Sequence, residues 1–531
     1  MIGRRGSRLE VPVLGSAGPG TVWWTDPVNL ATIIDPHPDE AVALVSRGKT
    51  TTYGQLRGQV AGLRGGLLGL GLEAGDRVGI VAANNWYFVV SYLAVVSAGG
   101  VAVPINPLSP LPEVENELAA IGARVLIVGP TGRSTLASLD RRSLPALETI
   151  VASEGGDVPG SLPLDELLAA APVQMVEREP DDLAVLIFTS GTAGSPKAAM
   201  LTHGNLLSNL EQCQAHPGRQ QGADDVVLGV LPLFHIFGLN VALGLSLAAG
   251  ASVLLVERFD PQSALESVVN HGVTVISGAP TMWSSWAALP GAPADAFSSV
   301  RLATSGAARL DPTTRRGIKE RFGLELNEGY GLTEASPVVT SGTGLAAPEG
   351  SIGGPLPGVR VRLVDADGQD SLVGDAGELW VQGPNVFAGY WNDPEATQVA
   401  LTPDGWLRTG DVAVVDDDGF LFLVDRVKDL IIVSGFNVYP GEVEQVIASH
   451  PAVVAAAVIG VPHPHTGESV KAYVVVDPGI SVEEDDIIRH CEAHLARYKC
   501  PQKVMFVEEI PQSATGKVLR KELRASTAAN K

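Results

Sequence analysis

Short apolar runs alternate with longer amphipathic segments along the first 350 residues of the chain. Apolar residues that follow glycine-containing turns predict strands at residues 75–81, 100–104 and 123–129, and residues 86–98 predict an apolar helix. Another buried strand is expected at residues 183–188. This alternation of strand and helix predicts a parallel sheet that is covered by helices.

The alternation continues beyond residue 200. Thr202 is a good N-cap for a helix at residues 205–213, and an apolar run predicts a strand at residues 226–231. Strand-and-turn units are expected at residues 273–280 and 302–308. The second of these ends in small side chains, which let a planar ring lie against the backbone.

The character of the sequence changes after residue 350. Short alternating strands between Pro, Gly and Asp turns predict an antiparallel β-subdomain at residues 350–425, and a helix near residues 441–449 with two later strands predicts a small α/β unit. We therefore predict an α/β protein. Residues 1–426 form a large N-terminal domain of parallel sheets with the β-subdomain, and residues 427–531 form a small C-terminal α/β domain.

Composition narrows the class of protein. The chain has 531 residues, of which 45% are apolar and 18% charged, as in ordinary globular proteins. Its long apolar stretches, residues 88–105 and 239–256, are interrupted by Gly, Pro or Asn, so we expect a buried helix and strand in each and no membrane span. A formal charge of −22 argues against nucleic-acid binding. Three cysteines without metal-ligand spacing favour a reducing cytoplasm.

The most informative stretch is the loop TSGTAGSPK at residues 189–197. It combines hydroxyls, backbone N–H groups that can form an anion-binding nest, and one lysine, which together suit a polyphosphate. It is not a Walker A loop, because Pro196 stands where that pattern requires glycine before the lysine. On composition alone, a flexible surface loop is an equally good interpretation.

A second stretch is NEGYGLTE at residues 327–334. Two glycines around Tyr330 predict a tight backbone with an aromatic face exposed to a ligand. Glu334 would suit Mg²⁺, which prefers oxygen ligands, when it faces a triphosphate. Taken alone, an exposed glutamate in a turn is the better interpretation.

A histidine lies among aromatic residues in the segment PLFHIFG at residues 232–238. It follows a predicted strand and begins an apolar helix, a place where α/β proteins bind ligands. We favour a role in a pocket wall over a role in the core, and either over proton transfer. Basic residues cluster near the C-terminus, and such clusters are usually solvated tails, but this one contains the segment PQSATGK at residues 511–517, in which Gly516 lets Lys517 reach out; the basic residues are Lys499, Lys503, Lys517, Arg520, Lys521 and Arg524.

Five motifs, in order, resemble those of the adenylate-forming enzymes, which include acyl-CoA synthetases, peptide-synthetase adenylation domains and beetle luciferases. They lie at residues 189–197, 327–334, 406–411, 425–440 and 511–517, and the resemblance spans about residues 51–524. One departure is Ala198, where these enzymes usually carry glycine; it removes no phosphate ligand.

The resemblance implies an ATP site with Mg²⁺ held by Thr189 and Glu334. It implies that Asp411 binds the ribose hydroxyls, with Arg426 beside it. It also implies that the catalytic residues are Lys517, Glu334 and Lys197. The residues that it places around ATP are Thr189, Ser190, Gly191, Thr192, Gly194, Lys197, Ser305, Gly306, Ala307, Ala308, Glu328, Gly329, Tyr330, Gly331, Thr333, Asp411, Arg426 and Lys517.

The resemblance also implies an acyl site, a coenzyme A site and a mobile C-terminal domain. The hinge corresponds to Lys428, and coenzyme A is expected at Ser434, Gly435 and Phe436. The residues expected around the acyl group are Phe234, His235, Gly238, Asn240, Val241, Gly306 and Gly331, with Leu239, Leu243 and Leu245 behind them.

The implied function is that of an ATP-dependent acyl-CoA synthetase that forms an acyl-adenylate and releases pyrophosphate and AMP. Glu328 and residues 433–440 look most like bacterial fatty-acid CoA ligases, and residues 232–249 contain no Arg or Lys to bind a second carboxylate. We therefore expect a medium- or long-chain fatty acid as substrate, with a cinnamate-like aromatic acid as the next choice. A carrier-protein-loading enzyme and an inactive nucleotide-binding regulator are further alternatives. Transient contact with a membrane surface and a homodimer are left open.

Overall fold

The computed structural model describes most of the chain as two compact units. The large unit comprises residues 26–360 and 381–407, and the small unit comprises residues 361–380 and 408–529. The described residues are 26–153, 158–189, 197–218, 221–426, 429–433, 436–463, 466–513 and 516–529. The predicted domain boundary at residues 426 and 427 stays a prediction.

Most strand pairs of the large unit are parallel. Its strands are β1 (Val42–Ser46), β2 (Lys49–Thr52), β3 (Arg77–Val81), β4 (Val101–Ile105), β5 (Val125–Val128), β6 (Thr149–Ala152), β7 (Leu162–Pro163), β8 (Leu183–Thr189), β9 (Lys197–Thr202), β10 (Val226–Gly229), β11 (Ser252–Leu255), β12 (Val275–Gly278), β13 (Leu302–Ser305), β14 (Asn327–Gly331), β15 (Val338–Ser341) and β16 (Gly354–Pro355).

These strands form two sheets. A seven-stranded sheet has the order β7-β6-β5-β3-β4-β8-β9 and is parallel except for the β8–β9 edge pair. A nine-stranded sheet has the order β16-β15-β14-β13-β12-β10-β11-β1-β2, parallel in the middle and antiparallel towards both edges. The predicted α/β class with parallel sheets is therefore confirmed.

Helices join and cover these strands. They are α1 (Tyr53–Gly69), α2 (Trp86–Ser97), α3 (Leu111–Ile121), α4 (Arg133–Leu136), α5 (Leu164–Leu168), α6 (His203–Ala215), a π-helix (Phe237–Gly244), α7 (Leu245–Ala248), α8 (Pro261–His271), α9 (Pro280–Ala288), α10 (Pro312–Phe322) and α11 (Pro394–Ala400). The predicted N-cap is confirmed: Asn205 N donates to Thr202 Oγ1 at 3.1 Å, and Thr202 N donates back to Asn205 Oδ1 at 3.1 Å. This reciprocal pair is a capping box.

Both long apolar stretches fold as predicted, into a helix and a strand. Residues 88–105 contain α2 and β4, and residues 239–256 contain the π-helix, α7 and β11. Within the described part of the chain, no helix is long and apolar enough to cross a membrane.

The small unit contains two further sheets. Its strands are β17 (Arg360–Val364), β18 (Gly377–Gln382), β19 (Leu407–Val415), β20 (Leu421–Arg426), β21 (Ile431–Val433), β22 (Phe436–Val438), β23 (Val453–His463), β24 (Gly467–Val476) and β25 (Lys503–Phe506), and its helices are α12 (Pro440–Ala448), α13 (Glu484–His494) and α14 (Arg520–Ala529). The first sheet has the order β17-β18-β19-β20, and the second is centred on the long antiparallel pair β23–β24. The end residues of β17, β18 and β19 fall in the large unit.

Candidate active site

The β8–β9 hairpin brings the two ends of the predicted phosphate loop together. Thr189 ends β8, Lys197 begins β9, and the two residues face each other across the antiparallel pair. Thr189 Oγ1 also donates a hydrogen bond to the Lys197 carbonyl at 3.3 Å. The intervening predicted ligands, Ser190, Gly191, Thr192 and Gly194, lie outside the described residues.

The Lys197 ammonium group has two neighbours that the motifs did not indicate. Its Nζ lies 3.6 Å from Asp393 Oδ2 and 5.3 Å from the centre of the Tyr390 ring. Asp393 is fixed as the N-cap of α11, where it accepts a hydrogen bond from Ala396 N at 2.8 Å. The sequence Asp393-Pro394 is a helix-start signal, so it could have located α11 but not the contact with Lys197.

Glu334 lies in a short 3₁₀ turn, Thr333–Ala335, just after β14. The Tyr390 hydroxyl donates to Glu334 Oε1 at 2.7 Å, and Phe387 N donates to the Glu334 carbonyl at 2.9 Å. Burial, with the Glu334 carboxylate as a lesser cause, holds the pKa of the Tyr390 phenol above its ordinary value. The phenol therefore stays protonated and is the donor. Among the described residues, Glu334 Oε2 accepts no hydrogen bond.

The predicted adenine residues form the turn after β13. Ser305 is buried, and its Oγ has no hydrogen-bond partner among the described residues. The Phe237 ring packs against Gly306, where an added Cβ would lie 3.1 Å from Phe237 Cζ. Ala307 has φ +71°, a left-handed conformation that non-glycine residues seldom adopt, and Ala308 follows it. The four residues of this turn thus contribute only small side chains or none.

The NEGYG stretch forms β14, and the predicted tight backbone is confirmed. An added Cβ at Gly331 would lie 2.2 Å from the Pro337 carbonyl oxygen, and one at Gly329 would lie 2.9 Å from the Thr340 carbonyl oxygen. β14 lies inside the sheet between β13 and β15, and Tyr330 is only 9% exposed to solvent. That its aromatic face contacts a ligand stays a prediction.

The Glu328 carboxylate is buried and bound to protein groups. Its Oε1 pairs with Arg315 Nη2, and its Oε2 accepts a hydrogen bond from Leu310 N at 3.3 Å. These contacts fix the loop after Ala308, so in this structure Glu328 supports the predicted adenine turn through its side chain.

The predicted acyl residues follow β10. Phe234 and His235 are half-buried, and His235 Nδ1 accepts a hydrogen bond from Phe237 N at 3.2 Å. Gly238 is needed for close packing, because an added Cβ would lie 2.2 Å from the Pro232 carbonyl oxygen. Val241 is buried, as are Leu239, Leu243 and Leu245.

Asn240 joins this segment to the Glu334 turn. Its Nδ2 donates to the Ser336 carbonyl at 2.7 Å and to the Leu206 carbonyl at 3.3 Å. The Leu245 N–H reaches back five residues to the Asn240 carbonyl, so the helix is locally wound as a π-helix. Such turns are frequent at functional sites.

The remaining predicted residues belong to the small unit. Asp411 is buried in β19 and pairs with Arg426 of β20, whose side chain lies outside the description. Lys517 lies in a turn in which Ser513 N donates to the Lys517 carbonyl at 2.8 Å and Gly516 has φ +79°. Phe436 is exposed, with its ring centre 4.9 Å from that of Tyr498. Lys428, Ser434 and Gly435 lie outside the described residues.

Several cations of the basic C-terminal cluster are held in ion pairs. Four of these side chains form ion pairs with carboxylates elsewhere in the small unit. The pairs are Lys499–Glu442, Lys503–Glu484, Arg520–Glu444 and Arg524–Asp429. The sequence could not reveal these contacts, because the carboxylates lie 19 to 95 residues away along the chain.

Comparison with known sequences agrees with this architecture. The family described as AMP-binding enzyme matches residues 31–391, and the family described as AMP-binding enzyme C-terminal domain matches residues 442–517. The chain belongs to the AMP-binding enzymes. This membership confirms the resemblance to the adenylate-forming enzymes. The protein is therefore an AMP-forming ligase that acts through an acyl-adenylate.

Several relatives match this AMP-binding enzyme along most of their length. A long-chain-fatty-acid–CoA ligase of Yersinia pestis is 36% identical over 542 residues, which cover 94% of this chain and 95% of the relative. A feruloyl-CoA synthase of an Amycolatopsis species is 37% identical over 493 residues, covering 92% and 96%.

Solved structures agree with the fold. ATP-bound MatB from Rhodopseudomonas palustris has a TM-score of 0.87 and 34% identity over 94% of this chain and 99% of that chain. The anthranilate CoA ligase AuaEII, in complex with anthranoyl-AMP, has a TM-score of 0.88 and 29% identity, covering 95% and 98%.

Proposed function

We propose that this AMP-binding enzyme activates a medium- or long-chain fatty acid and transfers the acyl group to coenzyme A. The observation that carries the proposal is the 36% identity, over nearly the whole of both chains, to a long-chain-fatty-acid–CoA ligase. The apolar segment after His235 supports it, because residues 232–249 contain no Arg or Lys that would bind a second carboxylate.

An aromatic acid is the second candidate. The feruloyl-CoA synthase is as similar in sequence to this chain as the fatty-acid ligase is. The anthranilate CoA ligase AuaEII is as similar to it in structure as MatB is. The Phe237 ring against Gly306 would offer a ring a flat apolar contact. A Mycobacterium tuberculosis relative, 36% identical, is a CoA ligase for a methyl-dioxo-octahydroindenyl propanoate. Acids that carry a bulky ring system therefore also belong among the candidate substrates.

The first step joins two anions. A carboxylate oxygen attacks the α-phosphorus of ATP, the acyl–phosphate bond forms, and the bond to pyrophosphate breaks. Preorganised cations lower the electrostatic part of this barrier. We assign Lys517 to bridge the carboxylate and α-phosphate oxygens, and Lys197 with residues 189–196 to hold the departing pyrophosphate.

The oxygen atoms of Glu334 and Thr189 suit a Mg²⁺ ion that binds together with the nucleotide. The described residues contain no cluster of three or more His, Cys, Asp or Glu side chains that could cage a metal by themselves. Glu334 and the Thr189 hydroxyl are hard oxygen ligands, and Mg²⁺ commonly takes one or two such ligands and completes its shell with phosphate oxygens and water. When bound there, Mg²⁺ would neutralise phosphate charge.

The second step forms the thioester. The coenzyme A thiolate attacks the acyl carbonyl, and AMP leaves with both electrons of the broken C–O bond. We assign Lys428 to the hinge about which the small domain rotates, and Ser434, Gly435 and Phe436 to contacts with coenzyme A. Asp411, with Arg426 beside it, would hold the ribose.

A pyrophosphate-release assay with an acid panel tests the proposal. Purified protein is given ATP, MgCl₂ and one acid at a time, with and without coenzyme A. The panel contains fatty acids of increasing length, cinnamates, anthranilate and a fused-ring propanoate. We expect release with medium- or long-chain fatty acids and acyl-CoA formation when coenzyme A is added.

The other outcomes separate the alternatives. Preference for a cinnamate or another ring acid would select the aryl alternative. Acyl-adenylate that persists unchanged in the presence of coenzyme A would indicate a carrier-protein-loading enzyme, and no release with any acid would indicate a nucleotide-binding regulator.

A further inference from the structure

Tyr390 lies where three segments of the large unit meet. It forms a bridge with Ala199 of β9, and its backbone N donates to Thr397 Oγ1 of α11 at 2.9 Å. Its ring packs edge-to-face on Phe387, with the ring centres 4.9 Å apart. The position of its side chain is therefore set by β9, α11 and Phe387 before any ligand binds.

From this position Tyr390 contacts two groups of opposite charge. Its hydroxyl donates to Glu334 Oε1 at 2.7 Å, and its ring centre lies 5.3 Å from Lys197 Nζ. An aromatic face attracts an ammonium group at this distance. Asp393 Oδ2, 3.6 Å from the same Nζ, adds a second attraction on the lysine.

These contacts restrict two side chains that otherwise have much conformational freedom. A hydrogen bond to one carboxylate oxygen limits rotation of Glu334, and Oε2 accepts no hydrogen bond from any described residue. Lysine has a flexible four-carbon stem, and the aromatic ring and Asp393 hold its ammonium group near the end of the phosphate loop. Without such neighbours, both side chains would keep more of this conformational freedom.

We propose that Tyr390 is a positioning residue that sets Glu334 and Lys197 for the magnesium–polyphosphate end of the nucleotide. The inference rests on the proposed function, in which Glu334 binds Mg²⁺ and Lys197 binds pyrophosphate oxygens. The hydroxyl of Tyr390 contacts Glu334 and its ring contacts Lys197. Substitutions that remove the hydroxyl alone or the whole ring can therefore separate the two contributions.

The substitutions are Tyr390→Phe, which removes only the hydroxyl, and Tyr390→Leu, which removes the ring as well. Tyr53→Phe is the matched control, because its buried hydroxyl also donates a hydrogen bond, at 2.8 Å to the Ala251 carbonyl, but touches no predicted site residue. Glu334→Gln tests the underlying assignment of Glu334.

The experiment measures binding of α,β-methylene-ATP by calorimetry over a series of MgCl₂ concentrations, a readout independent of turnover. We expect Tyr390→Phe to raise the Mg²⁺ concentration for half-maximal binding by about five- to tenfold, with affinity largely restored at saturating Mg²⁺. We expect Tyr390→Leu to weaken binding at every Mg²⁺ concentration, because the Lys197 contact is also lost. Tyr53→Phe should match the wild type.

The outcomes distinguish the inference from the function on which it rests. If Glu334→Gln leaves the Mg²⁺ dependence unchanged, the proposed role of Glu334 fails, and the inference fails with it. If Glu334→Gln removes that dependence while Tyr390→Phe binds as the wild type does, only the positioning role of Tyr390 is overturned. Equal shifts in Tyr390→Phe and Tyr53→Phe would also overturn it, because they would reflect a general loss of packing.

Discussion

At the scale of single residues, Gly331 has almost no room for a side chain. A methyl group at this position would lie 2.2 Å from the Pro337 carbonyl oxygen and 2.9 Å from its carbonyl carbon. The neighbouring atoms are main chain, and backbone cannot turn aside as a flexible side chain can. Any side chain at Gly331 must therefore separate β14 from the returning segment, close to Glu334.

We predict that Gly331→Ala lowers the free energy of unfolding by about 2 to 4 kcal/mol and weakens nucleotide binding. Gly58→Ala is the control, since Gly58 lies in α1 with no atom within 4 Å of its added Cβ. That change should be neutral or stabilising by up to about 1 kcal/mol. Chemical denaturation of both variants checks the difference, and equal effects would show that the close approach is not the cause.

Glu117 is a buried acid whose charge state changes near neutral pH. Burial in α3, with Glu113 as a lesser cause, raises the pKa of Glu117 to about 7. In the unfolded chain the carboxyl ionises near its ordinary pKa of 4.5. Between these values the folded state holds the extra proton, so stability is greatest below the lower pKa and falls as the pH rises to about 7.

We predict that Glu117→Gln raises the free energy of unfolding at pH 8 by up to about 3 kcal/mol, because one pKa unit corresponds to about 1.4 kcal/mol. At pH 5 the gain should be much smaller. Denaturant titrations at the two pH values test this, with the exposed Glu166→Gln as control. A gain that does not depend on pH would contradict the assignment to Glu117 ionisation.

At the scale of secondary-structure elements, ion pairs join α14 to the rest of the small unit. Arg520 Nη2 contacts both carboxylate oxygens of Glu444 in α12, at 2.6 and 2.8 Å, and its Nε donates to the Val458 carbonyl of β23 at 3.2 Å. Arg524 Nη2 contacts the buried Asp429 at 2.9 Å. Lys517 precedes α14 by three residues, so these contacts limit how far its turn can move within the small unit.

We predict that Arg520→Met lowers the free energy of unfolding of the small unit by about 3 kcal/mol, because it removes both contacts of the guanidinium with the Glu444 carboxylate. Arg489→Met, which removes an exposed pair with Asp486, should cost less than about 1 kcal/mol. Hydrogen exchange of residues 503–529 reports the effect locally. Similar exchange in the two variants would contradict a joining role for Arg520.

The sequence predicted elements well where apolar periodicity was strong, and poorly where charge interrupted it. The apolar run before Gly99 predicted α2, and the apolar run after Gly100 predicted β4. Both elements are almost wholly buried, so each appears in the sequence as an uninterrupted stretch of apolar residues. β19 was not predicted, since the charged residues Arg408 and Asp411 interrupt its apolar pattern. The buried position of Asp411 depends on pairing with β20, which local sequence does not encode.

The same limit explains which residues of the candidate site were predicted. Glu334, Lys197 and Lys517 lie in short motifs that can be recognised from neighbouring residues alone. Tyr390 and Asp393 lie in no such motif, and Tyr390 reaches Glu334 across 56 residues of chain. Contacts of this kind follow from the tertiary fold, so no local pattern could have indicated them.

At the scale of the whole molecule, the predicted chemistry is divided between the two units. The large unit contains Thr189, Lys197 and Glu334, and the small unit contains Asp411 and Lys517. The formal charge of −22 makes the few cations beside anionic substrates more important, since the protein as a whole repels them.

The most direct test is Lys517→Ala assayed in the two half-reactions separately. We predict that the rate of adenylation, measured by pyrophosphate exchange, falls by at least about a hundredfold, because a cation that stabilises the transition-state charge is lost. Thioester formation from supplied acyl-adenylate and coenzyme A should change by less than about threefold, since Lys517 has no part in it. Lys521→Ala, an exposed lysine four residues away, should leave both half-reactions unchanged. Equal loss of both half-reactions in Lys517→Ala would contradict the account.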